Sequence, residues 1–440
     1  MKIVIRADAS KLIGSGHVMR CLTLAEGLRE RGAQVSFISQ HCDGDLCDLI
    51  SQKGFKIRES WVERFKPDWL IVDHYELGED WEHSMRSHVK RIMVIDDLAR
   101  PHDCDVLLDQ NLVANFGTRY VGKVPGSCAL LLGPQYALLQ PIYRELHDRT
   151  PPREGPIKRI MISFGGGDVA GMTDFALDTV QSLKCIDVKV DVVQPGDNLP
   201  SLAPLIARAD LAIGAAGTTA WERLCLGLPS LVITVADNQV PTAKELCQRE
   251  LIRWVSHPED LKTELAKVLD VGLDASWSKH CSSIVDGCGL ERILAVLMAH
   301  RDMLLRVRAA ILQDEELLLE WVNDPLVRIN SFDSDKIMPV HHREWFYRRL
   351  RDLDNCRIYV VETETGVPVG QVRFERREEK WELNYSLGSV FRGKGLGKLV
   401  VEQALAKLHS ELGRVQVFAQ TKDTNEASKK ICASLGLLCE

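Results

Sequence analysis

The feature that most restricts the fold of this chain is a rhythm. From the first residues, short β-branched runs at 3–6, 35–38, 70–72, 92–95 and 106–108 alternate with helical stretches such as 18–31. Parallel strands cannot be joined by a tight hairpin, so this alternation implies crossover units and a parallel sheet. The cluster Thr150-Pro151-Pro152-Arg153-Glu154-Gly155-Pro156 interrupts the series, which restarts at 159–164 and runs through 188–193, 211–213 and 231–234. Near residue 303 the mix shifts toward Arg, Glu and Trp. There the runs 357–362 and 367–374, separated by Glu364-Thr365-Gly366, read as an antiparallel meander. For 440 residues at about 150 per domain, three domains are expected: 1–150, 151–302 and 303–440. The fold class that follows is α/β: two Rossmann-like halves and then an α/β domain with a mixed, mostly antiparallel sheet.

Composition excludes several kinds of partner. No run approaches the roughly 18 apolar residues of a membrane span, and the start, Met1-Lys2-Ile3-Val4-Ile5-Arg6, is charged too early for a signal peptide. A cytoplasmic protein without membrane association is expected. Lys+Arg (55) falls below Asp+Glu (62), and no basic stripe with interleaved aromatics is present, which argues against nucleic acid. The 13 cysteines show no CxxC or finger spacing, and Cys21, Cys225, Cys247 and Cys432 sit in apolar runs. Reduced thiols and no metal are expected. A small-molecule ligand remains, and the oligomeric state is left open.

The densest chemistry in the first half is Gly14-Ser15-Gly16-His17-Val18-Met19-Arg20-Cys21, between the strand ending Arg6-Ala7-Asp8 and an apolar helix. The glycines allow a tight turn, and His17 at the helix start is a candidate proton acceptor; the same residues suit a plain turn with a capping histidine. Asp73-His74-Tyr75 and Asp96-Asp97 stand at strand ends, where open α/β sheets bind ligands. Tyr75 is a candidate substrate contact, whereas Asp96 and Asp97 read as caps of a strand-to-helix loop.

In the second half, Ser163-Phe164-Gly165-Gly166-Gly167-Asp168 and Gly214-Ala215-Ala216-Gly217-Thr218-Thr219-Ala220-Trp221-Glu222 each follow a strand. Small residues let a diphosphate approach backbone N–H groups without a lysine, which makes Gly165, Gly166, Gly217, Thr218 and Thr219 its candidate cradle. A turn capped by Thr218 or Thr219 that binds nothing is the alternative. Glu222 suits a ribose diol, and the amides of Asn238 and Gln239 suit a ligand's polar edge.

Gly217-Thr218-Thr219-x-x-Glu222, with Gly227-Leu228-Pro229-Ser230 and Asp237-Asn238-Gln239, resembles the UDP-binding half of GT-B proteins related to the lipid-linked peptidoglycan GlcNAc transferase. Adding Arg6-Ala7-Asp8, the segment Gly14–Arg20, Val72-Asp73-His74-Tyr75, Ile95-Asp96-Asp97 and Tyr136-Ala137-Leu138-Leu139, residues 1–300 resemble the UDP-sugar hydrolases of pseudaminic acid biosynthesis. The resemblance implies hydrolysis of UDP-2,4-diacetamido-2,4,6-trideoxy-β-L-altropyranose with inversion. It implies His17 as general base, with Gly16 and Tyr75 among the UDP-sugar contacts. A GT-B glycosyltransferase using another acceptor and a non-catalytic nucleotide-sugar scaffold are the rival readings.

Farther on, Tyr385-Ser386-Leu387-Gly388-Ser389-Val390-Phe391-Arg392-Gly393-Lys394-Gly395-Leu396-Gly397-Lys398 reads as strand, glycine loop and helix, with Asn425-Glu426-Ala427-Ser428 after a later strand. This region resembles the GNAT acetyltransferase superfamily, in the branch that acetylates aminosugars and protein N-termini. The resemblance implies acetyl-CoA as cosubstrate. Its contacts would be Leu387, Arg392, Gly393, Lys394, Gly395, Leu396, Gly397, Lys398, Asn425 and Ser428. Glu382, Asn384 and Tyr385 on the preceding strand are candidates to deprotonate or orient an amine, with Glu382 and Tyr385 as the catalytic choice. Cys432 stands where the family pattern has a general-acid tyrosine, and only three residues follow Gly436-Leu437, so a shortened acetyltransferase is expected. Together the resemblances imply two consecutive reactions, acetylation of a UDP-4-amino sugar and then release of UDP.

Overall fold

The computed structural model describes every residue except 12, 59–65, 166–170, 184–186, 195, 196, 198 and 440. It divides into two compact units, Met1–Leu294 and Ala295–Glu440, with the division inside the helix Gly289–Leu297. Among the described residues, no helix is long and apolar enough to cross a membrane.

The described residues of the first unit form two all-parallel sheets. In the seven-stranded one, Lys2–Ala7 lies between Gln34–Ile38 and Trp69–Asp73. Lys56–Arg58 extends it on one side, and Arg91–Ile95, Val106–Asp109 and Ala129–Leu132 extend it on the other. Trp69–Asp73 is buried along its whole length, as a strand covered on both faces by helices must be, which is why it reads as a continuous apolar run. The chain leaves Lys2–Ala7 toward Gln34–Ile38 and later returns on the opposite side as Trp69–Asp73. A crevice opens at such a switch point, beyond the carboxyl ends of the two strands.

The five-stranded sheet has a switch point of the same kind. Arg159–Ser163 and Leu211–Gly214 are neighbours at its centre, with Lys189–Val192 outside the first and Ser230–Val232 and Arg253–Trp254 outside the second. Phe164-Gly165 and the glycine turn 214–217 follow these two central strands. Two Rossmann-like halves within one unit is the architecture that the GT-B resemblance implies. The helix Gly289–Leu297 ties the halves together by packing on the helix Gly16–Glu30, where a Cβ on Gly27 would lie 2.8 Å from Leu294 Cδ1. At the far end of that contact, Arg31 Nη2 bonds both carboxylate oxygens of Glu291, at 2.8 and 2.6 Å.

The described residues of the second unit form a six-stranded mixed sheet. Leu305–Ala309, Cys356–Thr363, Pro368–Arg377 and Lys380–Leu387 pair antiparallel in chain order. Val417–Ala419 and Leu438–Cys439 then add parallel strands, the first reached through the helix Leu396–Leu412. The ladder between Lys380–Leu387 and Val417–Ala419 runs only from Trp381↔Val417 to Leu383↔Ala419. Beyond it, residues 384–387 continue without that neighbour, so the sheet opens as a wedge.

Candidate active sites

Helix Gly16–Glu30 begins inside the glycine turn, which places His17 in its first turn and buries it. His17 Nδ1 lies 2.5 Å from Asp73 Oδ1, at the carboxyl end of the adjacent strand. Arg20, one helical turn after His17, donates to both Asp73 oxygens through Nε and Nη2, at 2.6 Å each. Burial of Asp73 opposes its charge, but Arg20 and His17 outweigh it and hold the carboxyl well below the usual carboxylate range. An imidazole that donates from Nδ1 to a fixed carboxylate keeps Nε2 as a proton acceptor. Neither Asp73 nor Arg20 draws a role from sequence alone; the available signal was Arg20 three residues after His17 and an aspartate ending a buried strand.

Tyr75 meets His17 edge-on, with ring centroids 4.6 Å apart. Its hydroxyl donates to Asp97 Oδ2 at 3.2 Å and accepts from Asn238 Nδ2 of the second half at 3.3 Å. Burial and the nearby Asp97 push this hydroxyl's pKa upward, so it stays protonated. The glycine turns of the two halves also meet: a Cβ on Gly16 would lie 3.6 Å from Thr218 Oγ1, and one on Gly217 would lie 3.7 Å from Gln239 Nε2. Thr218 precedes the helix Thr219–Cys225 without a side-chain cap bond. His17, Gly16, Tyr75, Gly217, Thr218, Thr219, Asn238 and Gln239 therefore gather around one cleft. Gly165, two residues past the strand Arg159–Ser163, adopts φ +84°, a left-handed conformation that favours glycine, and Gly166 lies outside the described residues.

Glu222 sits farther along that helix. Burial pushes its carboxyl up to about 7, against the opposing effects of the nearby Tyr143 hydroxyl and the Arg223 charge. Its Oε2 is sealed from solvent without a hydrogen-bond partner among the described residues. Behind the cleft, Asp96 accepts from Leu98 N, Arg100 N and Arg100 Nε, and His102 is buried between Glu82 and Asp96. Burial works against a charged His102, yet those two carboxylates raise it to about 9. Elsewhere in this unit His41, Asp45 and Cys47 offer ligand atoms within 4.8 Å of one another. Asp45 already caps Cys42 N and Cys47 N, and the Cys47 thiol donates to Gln40 O, so the cluster is an ordinary turn.

In the second unit, Gly393 and Gly395 adopt φ +71° and +77°, and Gly395 precedes the helix Leu396–Leu412. Leu396 and Gly397 are buried, with Gly397 against Ile431, while Lys398 is exposed. Two of the side chains expected at acetyl-CoA have partners within the domain. Arg392 donates to Asp324 Oδ1 at 2.8 Å and to Leu387 O, and Lys394 Nζ donates to Val296 O at 2.6 Å. Asn425 Oδ1 accepts from Ser428 N, and Ser428 Oγ lies 3.3 Å from Tyr385 OH. The candidates Glu382 and Tyr385 lie apart. Three residues apart on a strand of regular register, they leave opposite faces of the sheet, and Glu382 is ion-paired with Arg377 at 2.7 Å.

The acetyltransferase (GNAT) domain family matches residues 305–438. An uncharacterized protein of Methanocaldococcus jannaschii is 24% identical over 99% of this chain and 96% of its own. The UDP-2,4-diacetamido-2,4,6-trideoxy-β-L-altropyranose hydrolase of Campylobacter jejuni is 26% identical over 57% of this chain and 97% of its own length. Among solved structures, MurG of Acinetobacter baumannii matches with a TM-score of 0.49 at 14% identity, covering 67% of this chain and 99% of that one. The chain thus joins an N-terminal part homologous to proteins named as that hydrolase to a C-terminal domain of the GNAT acetyltransferase family.

Proposed function

We propose that residues 1–302 hydrolyse UDP-2,4-diacetamido-2,4,6-trideoxy-β-L-altropyranose to UDP and 2,4-diacetamido-2,4,6-trideoxy-L-altrose. Residues 303–440 would acetylate the preceding UDP-4-amino sugar with acetyl-CoA. The observation that carries the reading is His17, oriented by Asp73 and Arg20, on a cleft across which Gly16 meets Thr218. Water bonded to His17 Nε2 gives up its proton as its oxygen attacks the anomeric carbon from the face opposite UDP. The bond from that carbon to the UDP oxygen breaks, and configuration inverts. Gly217, Thr218 and Thr219 stand beside the departing diphosphate, with Gly165 as a second flank. Glu222 accepts from the ribose diol, and Asn238, Gln239 and Tyr75 contact the sugar or diphosphate.

In the acetyltransferase domain, the wedge after Leu383 exposes strand backbone to the pantetheine and thioester of acetyl-CoA, beginning near Leu387. Backbone N–H groups at 393–398 meet the pyrophosphate, and Asn425 and Ser428 line the opposite wall. The sugar's C4 amine attacks the thioester carbon, the carbon–sulfur bond breaks, CoA leaves as the thiol with the proton the amine gives up, and Tyr385 orients the amine beside Ser428. No metal enters either step.

The test is to incubate the chain with the 4-amino UDP-sugar, with and without acetyl-CoA, and follow products by mass spectrometry. The proposal expects acetyl-CoA-dependent UDP release, and accumulation of acetylated UDP-sugar by His17→Ala. A sugar conjugate in place of free sugar would point to a transferase, and absence of both reactions would overturn the reading.

A further inference from the structure

On the sheet of the second unit, three neighbouring polar side chains are left without hydrogen bonds. Arg373 on Pro368–Arg377 is the cross-strand neighbour of Asn384 on Lys380–Leu387, and Gln371 lies two residues before Arg373, so all three leave one face. Among the described residues none of these side chains donates or accepts a hydrogen bond. Solvent reaches them: Asn384 is exposed, and 25% of the Arg373 side chain is accessible. The Arg373 guanidinium is nevertheless held in place, 5.0 Å from the centroid of the Trp345 ring on the helix Pro339–Arg351, with Nε 3.2 Å from Glu375 Oε1. Glu375 is shared with Arg377 and Arg349, at 3.1 and 3.5 Å. Partial burial works against the charge of Arg373, and Glu375 opposes that effect. A cation so placed gains from an arriving anion, and its free Nη groups form the planar fork that suits phosphate.

The three side chains border the wedge. Its ladder ends at Leu383↔Ala419, which makes Asn384 the first residue beside the gap proposed for the thioester. Tyr385, the next residue, leaves the other face. A molecule lying over Arg373 and Asn384 can therefore extend an amine into a gap that Tyr385 lines from behind. Resting on the acetyltransferase reading, we infer that Gln371, Arg373 and Asn384 form the acceptor site of this domain: Arg373 takes a phosphate of a nucleoside diphosphate sugar, and the amides of Gln371 and Asn384 meet the sugar. The amides can donate or accept, whereas the guanidinium only donates, so the charge of the acceptor is what Arg373 selects.

The test follows release of the CoA thiol by the full chain supplied with acetyl-CoA and the UDP-4-amino sugar, for Arg373→Met and Arg373→Lys. Arg373→Met keeps an unbranched stem beside Trp345 and removes the charge. Loss of charge-assisted hydrogen bonds should raise KM for the UDP-4-amino sugar about tenfold or more and weaken inhibition of acetylation by added UDP by a similar factor, with KM for acetyl-CoA unchanged. Arg373→Lys keeps the charge without the fork and should recover part of both. A melting temperature matching that of the unsubstituted chain identifies the variant that carries the comparison. The inference falls if KM for the UDP-sugar does not move, if KM for acetyl-CoA rises in its place, or if UDP does not inhibit acetylation by the unsubstituted chain. Failure of the acetyltransferase reading has a different signature: the unsubstituted chain releases no CoA. A calorimetric titration with UDP then reads the site directly, with two UDP per chain falling to one in Arg373→Met if the site stands, and the same number in both if it does not.

Discussion

His17 owes its usefulness to a residue 56 positions away. Asp73 keeps the imidazole in one orientation, and Arg20 keeps Asp73 ionised. Asp73→Asn should lower kcat for UDP release by roughly 10²-fold or more with KM little changed, because substrate contacts remain while the base loses its tautomer and alignment. Steady-state assays of UDP release check this. Glu222 sets a pH dependence. With its carboxyl raised to about 7, the unliganded protein ionises it only as pH rises through neutrality, and a ribose diol donating both hydroxyls is held best by the ionised carboxylate, which can accept from both. UDP should therefore bind more tightly at pH 8 than at pH 6, and Glu222→Gln should flatten that trend in a calorimetric titration. The same raised pKa carries a stability cost of opposite sense, since the native state holds this proton more firmly than the unfolded chain, so its contribution falls as pH rises from about 4.5 through 7.

At the scale of elements, the helix Glu79–Met85 is pinned to the loop after Asp96 by His102. Raised to about 9, His102 contributes stability that is fully present below its ordinary pKa of 6.5 and is lost as pH climbs through 9. Melting temperatures of the chain and of His102→Gln should differ most at pH 6 and converge toward pH 10. A second pair of elements meets at Gly27, where Leu290 and Leu294 leave no room for a branched side chain. Gly27→Val should cost about 1–3 kcal/mol in a denaturant titration. Much of this level was legible in the sequence, because two-sided burial writes parallel strands as apolar runs bounded by glycine and aspartate. The edge strands Lys56–Arg58 and Ala129–Leu132 were not, being too short to show a period. The alternation along Lys380–Leu387 was legible and separates Glu382 from Tyr385, a conclusion open to anyone counting in twos.

Across the whole molecule, what local pattern could not reveal is which strand lies beside which. That Asp73 ends up against His17 depends on Trp69–Asp73 returning to the open side of Lys2–Ala7, a property of the sheet order. Likewise, that Arg392 has Asp324 as a partner, from 68 positions earlier, depends on the fold. The cleft residues themselves were visible as motifs, since glycine turns and strand ends are local; their meeting across the two halves was not. The helix Gly16–Glu30 gives that meeting a mechanical side. It carries His17 at one end, with Arg31 about 21 Å away just past the other, where Glu291 of the helix that closes the second half grips it. Such a rod is held at that far end, where Leu290 and Leu294 pack on Gly27 and Glu291 holds Arg31, so the position of the imidazole relative to the second half is set by contacts made about four helical turns away from it.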